Sequence, residues 1–304
     1  MGPYSADRAN HISVCICTYK RPKLLKRLLE DLDGQETCGL FTFSIVVVDN
    51  DSMRSAELVV SEFGSASAIS IRYYSEPRRN IALARNKAVE NARGDLVAFI
   101  DDDEFPARDW LCNSYKACVS YGVHGVLGPV TPHFELEPPR WVKKGRFFER
   151  PAHTTGYRMN SAETRTGNVL FWRAILNGLQ APFDPAFGTG GEDVDFFRRM
   201  IEKGNVFVWC SEAVVYEVVP ISRCRINYLL KRALLRGSNF PKHKVNRLKS
   251  AAQSLIAVPC YTLALPFLMV SGRHRYVDYA IRLCDHVARL LAFLGLRLMT
   301  EREM

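Results

Sequence analysis

A chain of 304 residues that is 47% hydrophobic and 24% charged can fold as one large domain or two small ones, and is not composed like a disordered protein. Its net charge of +9 is uneven: residues 221–304 hold 15 Lys and Arg against 4 Asp and Glu, and the first 220 residues hold 26 against 28. The basic excess therefore belongs to the C-terminal segment, where an anionic membrane surface is the expected partner; without an aromatic–basic motif, nucleic acid is not expected.

The nine cysteines are odd in number and form no CxxC pair, so reduced thiols in a cytosolic setting are expected. The first eleven residues are polar and the run ISVCIC is too short for a secretory signal. From Ile12 to Cys17 the chain reads as a buried strand, with Cys15 and Cys17 on one face. Pro22 heads an amphipathic helix carrying leucines at 24, 25, 28, 29 and 32. Strands follow at 43–51, 70–76 and 95–100, and helices near 55–63, at 81–93 and at 107–122. Four strand–helix alternations with uniformly apolar strands predict a mostly parallel sheet covered on both faces. Beyond Gly122 the pattern gives a strand at 123–130 and a Pro-, Arg- and aromatic-rich loop region at 131–165. A strand leading into a short helix follows at 167–176, then a glycine-rich loop opening a helix at 183–204, and two short strands around a turn at 205–218.

Residues 1–220 are read as one α/β domain, and 221–304 as a basic helical segment. Residues 250–272 lack charge but include Pro259, Pro266 and Gln253. That composition leaves a transmembrane span, a re-entrant or interfacial helix pair, and a soluble helical subdomain all open, with a second interfacial helix at 287–299.

Ligands of parallel sheets sit at the carboxyl ends of the strands. Here those ends read CTYKRP, VDNDS, SEPRRN and IDDDE. In IDDDE, Asp101 and Asp103 have a spacing that lets two carboxylates serve one hard divalent cation; the other reading of the run is a solvated turn with Glu104 capping the helix that follows. In GTGGEDVDFF, Glu192 and Asp193 open a helix, either as macrodipole partners or with one carboxylate as a general base. Asp49 is either a ribose or base contact or the pivot of an Asx-turn, and Arg85 is either a phosphate contact or a helix-surface residue. No GxGxxG follows the first strand, and no P-loop, HExxH or zinc spacing occurs.

These pieces in this order, ISVCICTYKRP, IVVVDNDS, NIALARNKAVENARGDLVAFIDDDEFP and GTGGEDVDFF, resemble the family 2 glycosyltransferases with a GT-A fold. They are similar above all to bacterial enzymes that build exopolysaccharide repeat units of the succinoglycan type, over about residues 12–220. The resemblance implies a Rossmann-like sheet that binds a nucleotide-sugar donor. Thr18, Asp49 and Asp51 would hold the nucleotide and Arg85 would contact the donor. Asp101 would meet the ribose and a metal-bound water, Asp102 would lie in the nucleotide-sugar site, and Asp103 would ligate Mn2+ or Mg2+ with Asp101 nearby. Asp193 would be the general base, with Glu192 beside it in the acceptor pocket. The implied reaction is inverting transfer, with UDP-glucose as first expectation, to a lipid-linked saccharide at the cytoplasmic face of the membrane. UDP-galactose, UDP-N-acetylglucosamine or dTDP-rhamnose as donor, or a non-catalytic assembly subunit, are the alternatives. Ile81 stands where many members have glycine, and the metal-assisting histidine after the Glu-Asp helix is replaced by a stretch whose nearest candidate is Glu217.

Overall fold

The computed structural model describes residues 10–188, 190–239 and 247–296. By its internal contacts the chain divides into two compact units, one made of Met1–Thr131 with Arg150–Val218, the other of Pro132–Glu149 with Val219–Met304. The basic C-terminal segment thus groups with an eighteen-residue excursion from the middle of the chain, part of what the sequence shows as loop.

In the first unit, strands β1 (Asn10–Thr18), β2 (Phe41–Asp49), β3 (Ile71–Ser75) and β4 (Leu96–Ile100) alternate with helices α1 (Pro22–Asp33), α2 (Glu57–Ala66), α3 (Ile81–Asn91) and α4 (Trp110–Ser120). The short strand β5 (Glu104–Pro106) lies between β4 and α4. Then come β6 (Gly125–Leu127), β7 (Val130–His133), β8 (Asn168–Trp172), α6 (Glu192–Glu202), β9 (Phe207–Trp209) and β10 (Val215–Val218), with α5 (Arg140–Gly145) in the excursion after β7. The main sheet runs β3-β2-β1-β4-β8-β6-β9. β1, β2, β3 and β4 pair in parallel, as do β6 and β9. The exception is β8, which runs antiparallel between β4 and β6. The two strands expected around a turn at 205–218 go to different sheets, because β10 joins β5 and β7 in a three-stranded sheet.

Strand alternation sorts the core into two layers. Ile12, Val14 and Ile16 of β1 face Leu25, Leu28, Leu29 and Leu32 of α1 and Trp110 of α4. Cys15 and Val46 face the opposite layer with Ala82, Ala84 and Ala88 of α3. The alanines of α3 allow the helix to lie close to the sheet, and the volume beyond them is filled by aromatic rings. Phe183 and Phe196 lie 4.7 Å apart between centroids, and Phe196 and Phe197, like Phe197 and Phe207, lie 5.1 Å apart.

In the second unit, α7 (Ile226–Asn239) and α8 (Arg247–Leu268) both pack on α9 (Arg273–Phe293). Asp285 of α9 is buried and accepts from Arg236 of α7 at 3.0 Å and from Arg289 at 2.5 Å. Val142 and Phe148 from the excursion share a small core with Val219, Leu229 and Val277. The second interfacial helix expected at 287–299 is not separate: residues 287–293 complete α9, and residues 297–299 lie outside the described residues.

The cysteines require a correction. Cys38 and Cys112 are joined as a disulfide, with Cα atoms 6.4 Å apart. The pair was not legible because 74 residues separate its members and the fold alone brings them together. The Gln35 amide donates to Ala107 O at 2.8 Å and its oxygen accepts from Leu111 N at 3.2 Å, which holds the turn after α1 against the start of α4. Closing a loop of this length restricts the unfolded chain. Reduction, or Cys112→Ser, is expected to lower unfolding free energy by about 2–4 kcal/mol. Thermal melts with and without reductant check this, and coincident melts would show that the link contributes nothing.

Candidate active site

The carboxyl ends of β1, β2 and β4 place Thr18, Asp49 and the acidic run after Ile100 along one edge of the sheet. β8 begins at that edge too, because Asn168 pairs with Ile100. Within the acidic run each side chain has a different surrounding. Asp102 is buried; its Oδ2 accepts from Thr18 Oγ1 at 2.8 Å and its Oδ1 from Arg21 Nη1 at 2.9 Å. The same Arg21 nitrogen lies 3.1 Å from Asp103 Oδ2, so two carboxylates converge on one guanidinium. Burial pushes the Asp102 carboxyl up to about 6 despite Arg21, with Asp103 adding to the rise.

Glu104 turns inward rather than capping a helix. Its Oε2 accepts from the Asp101 backbone N–H at 2.9 Å, and burial, followed by the nearby Asp101 charge, pushes its carboxyl well above the usual range. The close approach of the chain on the other side depends on Gly167, where a Cβ would stand 2.7 Å from Glu104 Oε1 and 3.3 Å from Asp101 Oδ2. Across the β5–β10 pair Glu104 faces Glu217, whose Oε2 is 2.5 Å from Arg150 Nη2. Glu217 is therefore already held by an arginine.

Arg85 of α3 joins the acidic run to the Glu-Asp helix. It is buried, donates to Glu192 Oε1, and reaches Asp101 Oδ1 at 3.4 Å. Its placement follows from the start of α3, where the Asn80 side chain caps Ala82 N and Leu83 N and the Asn80 N–H donates to Asn50 Oδ1. Glu192 is buried, and its Oε2 has no hydrogen-bond partner among the described residues. Gly191, at φ 94°, turns the chain into α6 so that Glu192 and Asp193 fall in its first turn. Asp193 is half-buried and its Oδ1 accepts from Val194 N at 2.8 Å. Arg165, between the excursion and β8, lies within electrostatic reach of Asp193, Glu104 and Glu217. Burial, then repulsion from Arg150, lowers its pKa, and those three carboxylates oppose the fall.

Asp49 is fully buried and its oxygens are used locally. They accept from Asp51 N at 3.0 Å, Ala56 N at 2.8 Å and Tyr73 Oη at 3.1 Å. Asp51 Oδ1 in turn accepts from Met53 N at 3.2 Å. Both residues thus shape the turn after β2, which Asn50 N ties to Thr18 O at 2.8 Å. The structure joins Thr18, Arg85, Asp101, Asp102, Asp103 and Glu192 through Arg21 and Arg85, with Asp193 next to Glu192. Arg21, Arg150 and Arg165 were not singled out in the sequence; the one available signal was an arginine directly after the first strand.

Among the described residues no three His, Cys, Asp or Glu side chains are grouped to hold a metal by themselves. The available donors are hard carboxylate oxygens. They fit a divalent cation that draws one or two ligands from the protein and the rest from phosphate and water.

Residues 13–175 match the family described as glycosyl transferase family 2. The chain is 33% identical over 299 residues to succinoglycan biosynthesis protein ExoM of Rhizobium meliloti, covering 94% of each. It is 25% identical over 236 residues to a glucosyl-dolichyl phosphate glucuronosyltransferase of Haloferax volcanii, covering 72% of this chain and 69% of that one. Among solved structures it superposes on the mannosyltransferase PcManGT from Pyrobaculum calidifontis, in complex with GDP-Man and Mn2+, with TM-score 0.63 and 19% identity over 95% of this chain and 89% of that one. It also matches S. aureus TarS 1-349 in complex with UDP, at TM-score 0.55 and 16% identity over 94% and 90% of the two chains. With this architecture and these matches, the chain belongs to glycosyl transferase family 2 and has the GT-A fold.

Proposed function

We propose that the protein is an inverting glycosyltransferase that moves a sugar, glucose from UDP-glucose as first choice, to a lipid-linked saccharide in cell-surface polysaccharide synthesis. The observation that carries this reading is the convergence, through Arg85, of the acidic run after β4 with the carboxylates that open α6. Family membership and the similarity to a succinoglycan biosynthesis protein support glycosyl transfer in polysaccharide synthesis. The solved structures bound to UDP, UDP-GlcNAc and GDP-Man support a nucleotide-sugar donor.

In this reading Asp193 is the general base. Its Oδ1 is fixed by Val194 N and its Oδ2 makes no hydrogen bond among the described residues, which leaves Oδ2 to take the proton of the acceptor hydroxyl. The deprotonated oxygen attacks the anomeric carbon from the face opposite the diphosphate, so a single displacement inverts that centre. Glu192, held by Arg85, offers its unpartnered Oε2 toward the acceptor side. Asp101 faces the ribose, and Arg85 approaches the donor phosphates. Thr18, Asp49, Asp51 and Asp102 form the floor of the nucleotide end. Asp103, with Asp101, would hold Mn2+ or Mg2+, which when bound supplies positive charge for the departing diphosphate. The bound Mn2+ of the Pyrobaculum structure supports a divalent cation. The catalytic part lies within residues 1–220, apart from the excursion at 132–149, and residues 221–304 hold the protein peripherally at the cytoplasmic face of the inner membrane.

A panel of nucleotide sugars, titrated with Mn2+, Mg2+ or chelator, tests the reading. One donor is expected to bind only with metal, and Asp103→Ala to abolish that binding. Asp193→Asn should bind the donor normally and turn over about 10²–10⁴-fold more slowly. Wild-type turnover by Asp193→Asn would remove the base assignment, and no nucleotide-sugar binding under any condition would remove the catalytic reading. Arg21 has a separable role, as the charge that draws Asp102 and Asp103 together. Arg21→Ala should cost about 1–3 kcal/mol in denaturant unfolding, with the loss largely restored in Arg21→Ala/Asp102→Asn. A double variant no more stable than the single one would show that the pairing is incidental.

A further inference from the structure

α8 is the one helix among the described residues that is long and apolar enough to cross a membrane by length and composition, and most of its apolar side chains are not covered by the protein. Leu248, Leu255, Ile256, Leu263 and Phe267 are 68–78% exposed, and Val270 beyond its end is 92% exposed. At about 100° per residue they fall on one stripe of the helix. The other side of α8 packs on α9, where Ser254 is fully buried and its hydroxyl lies 2.9 Å from His286 Nδ1.

Three observations disfavour a span. First, α9 carries Asp278 paired with Arg282 at 3.0 Å and the buried Asp285 paired with Arg236 and Arg289; a spanning α8 would draw these charges into hydrocarbon along with it. Second, Pro259 and Pro266 lie inside α8 and have no N–H to give the carbonyls of Leu255 and Thr262. Without a partner in the helix these carbonyls need water, which the headgroup–acyl boundary supplies and the centre of a bilayer does not. Third, Gln253 and Thr262 are exposed on the same helix. The charge pattern names the occupant of the apolar stripe: no charge occurs from 250 to 272, and exposed cations stand at both ends, Lys249 on one side and Arg273 and Arg275 on the other. An apolar row with exposed cations at both ends matches an anionic lipid surface in sign and in the order of apolar and charged groups.

We propose that α8 lies in the plane of the membrane interface as a one-leaflet anchor, with Leu255, Ile256, Leu263 and Phe267 set among the acyl chains and Lys249, Arg273 and Arg275 at the headgroups. This rests on the peripheral membrane association proposed above and adds how it is made. The full-length chain is tested by flotation with vesicles of phosphatidylcholine alone and of phosphatidylcholine with phosphatidylglycerol, by alkaline carbonate extraction, and by sedimentation without lipid. Wild type is expected to float with the anionic vesicles and to be released by carbonate. Leu263→Asp/Phe267→Asp should lower the bound fraction about tenfold. Because both side chains are exposed, its circular dichroism and donor binding should be unchanged. Retention through carbonate would overturn the in-plane placement in favour of a span. Flotation of the double variant like wild type would remove α8 as the anchor and leave membrane association standing. Failure of wild type to float with either vesicle would remove membrane association itself. A lipid-free dimer dissolved by the same substitutions would assign the stripe to a second copy of the chain.

Discussion

Four consecutive acids at the end of a fully buried strand repel one another, and the site is organised around relieving that repulsion. Arg21 and Arg85 carry most of the relief. Arg21 binds Asp102 and Asp103 through a single nitrogen, and Arg85 spans from Asp101 to Glu192. Glu104 is relieved differently, by burial toward the neutral form and by a backbone N–H. The acids therefore do not act as one cluster. Asp102 and Glu104 face into the protein and fix the loop, which leaves Asp101, with its side chain 46% exposed, as the member most open to a ligand.

The same division between structural and available groups runs along the sheet edge. Asp49 uses its oxygens on the turn after β2, and Thr18 donates into Asp102. Such internal hydrogen bonds hold this edge in one arrangement, and rotamers already locked by neighbours would lose little freedom to a ligand there. At the other end of the site, Asp193 and Glu192 take their direction from Gly191 and the first turn of α6, a rigid helix.

Much of this was legible because it depends on local pattern. Pro22 and the leucine spacing specify α1, and the uniformly apolar strands specify a sheet covered on both faces. The acidic run and the Glu-Asp pair stand out in composition. What was not legible depends on partners far away in sequence. Nothing in the residues of β8 states that it will run antiparallel between β4 and β6. β5 and α5 are too short for periodicity to register. Arg21 reads as one of many surface arginines until Asp102, 81 residues on, is placed beside it. The Cys38–Cys112 link belongs to the same class.

The second unit has a consequence for how the chain can be divided. Its small core takes Val142 and Phe148 from the middle of the sequence and Val219, Leu229 and Val277 from the end. The basic helices are therefore interlocked with an internal segment rather than appended as a tail. Removing everything after Val218 would leave Val142 and Phe148 without their apolar cover, on a fragment that still carries the whole acidic edge of the sheet. An exchange of this second unit for another would have to move both segments at once, so the two form a single module despite lying some seventy residues apart.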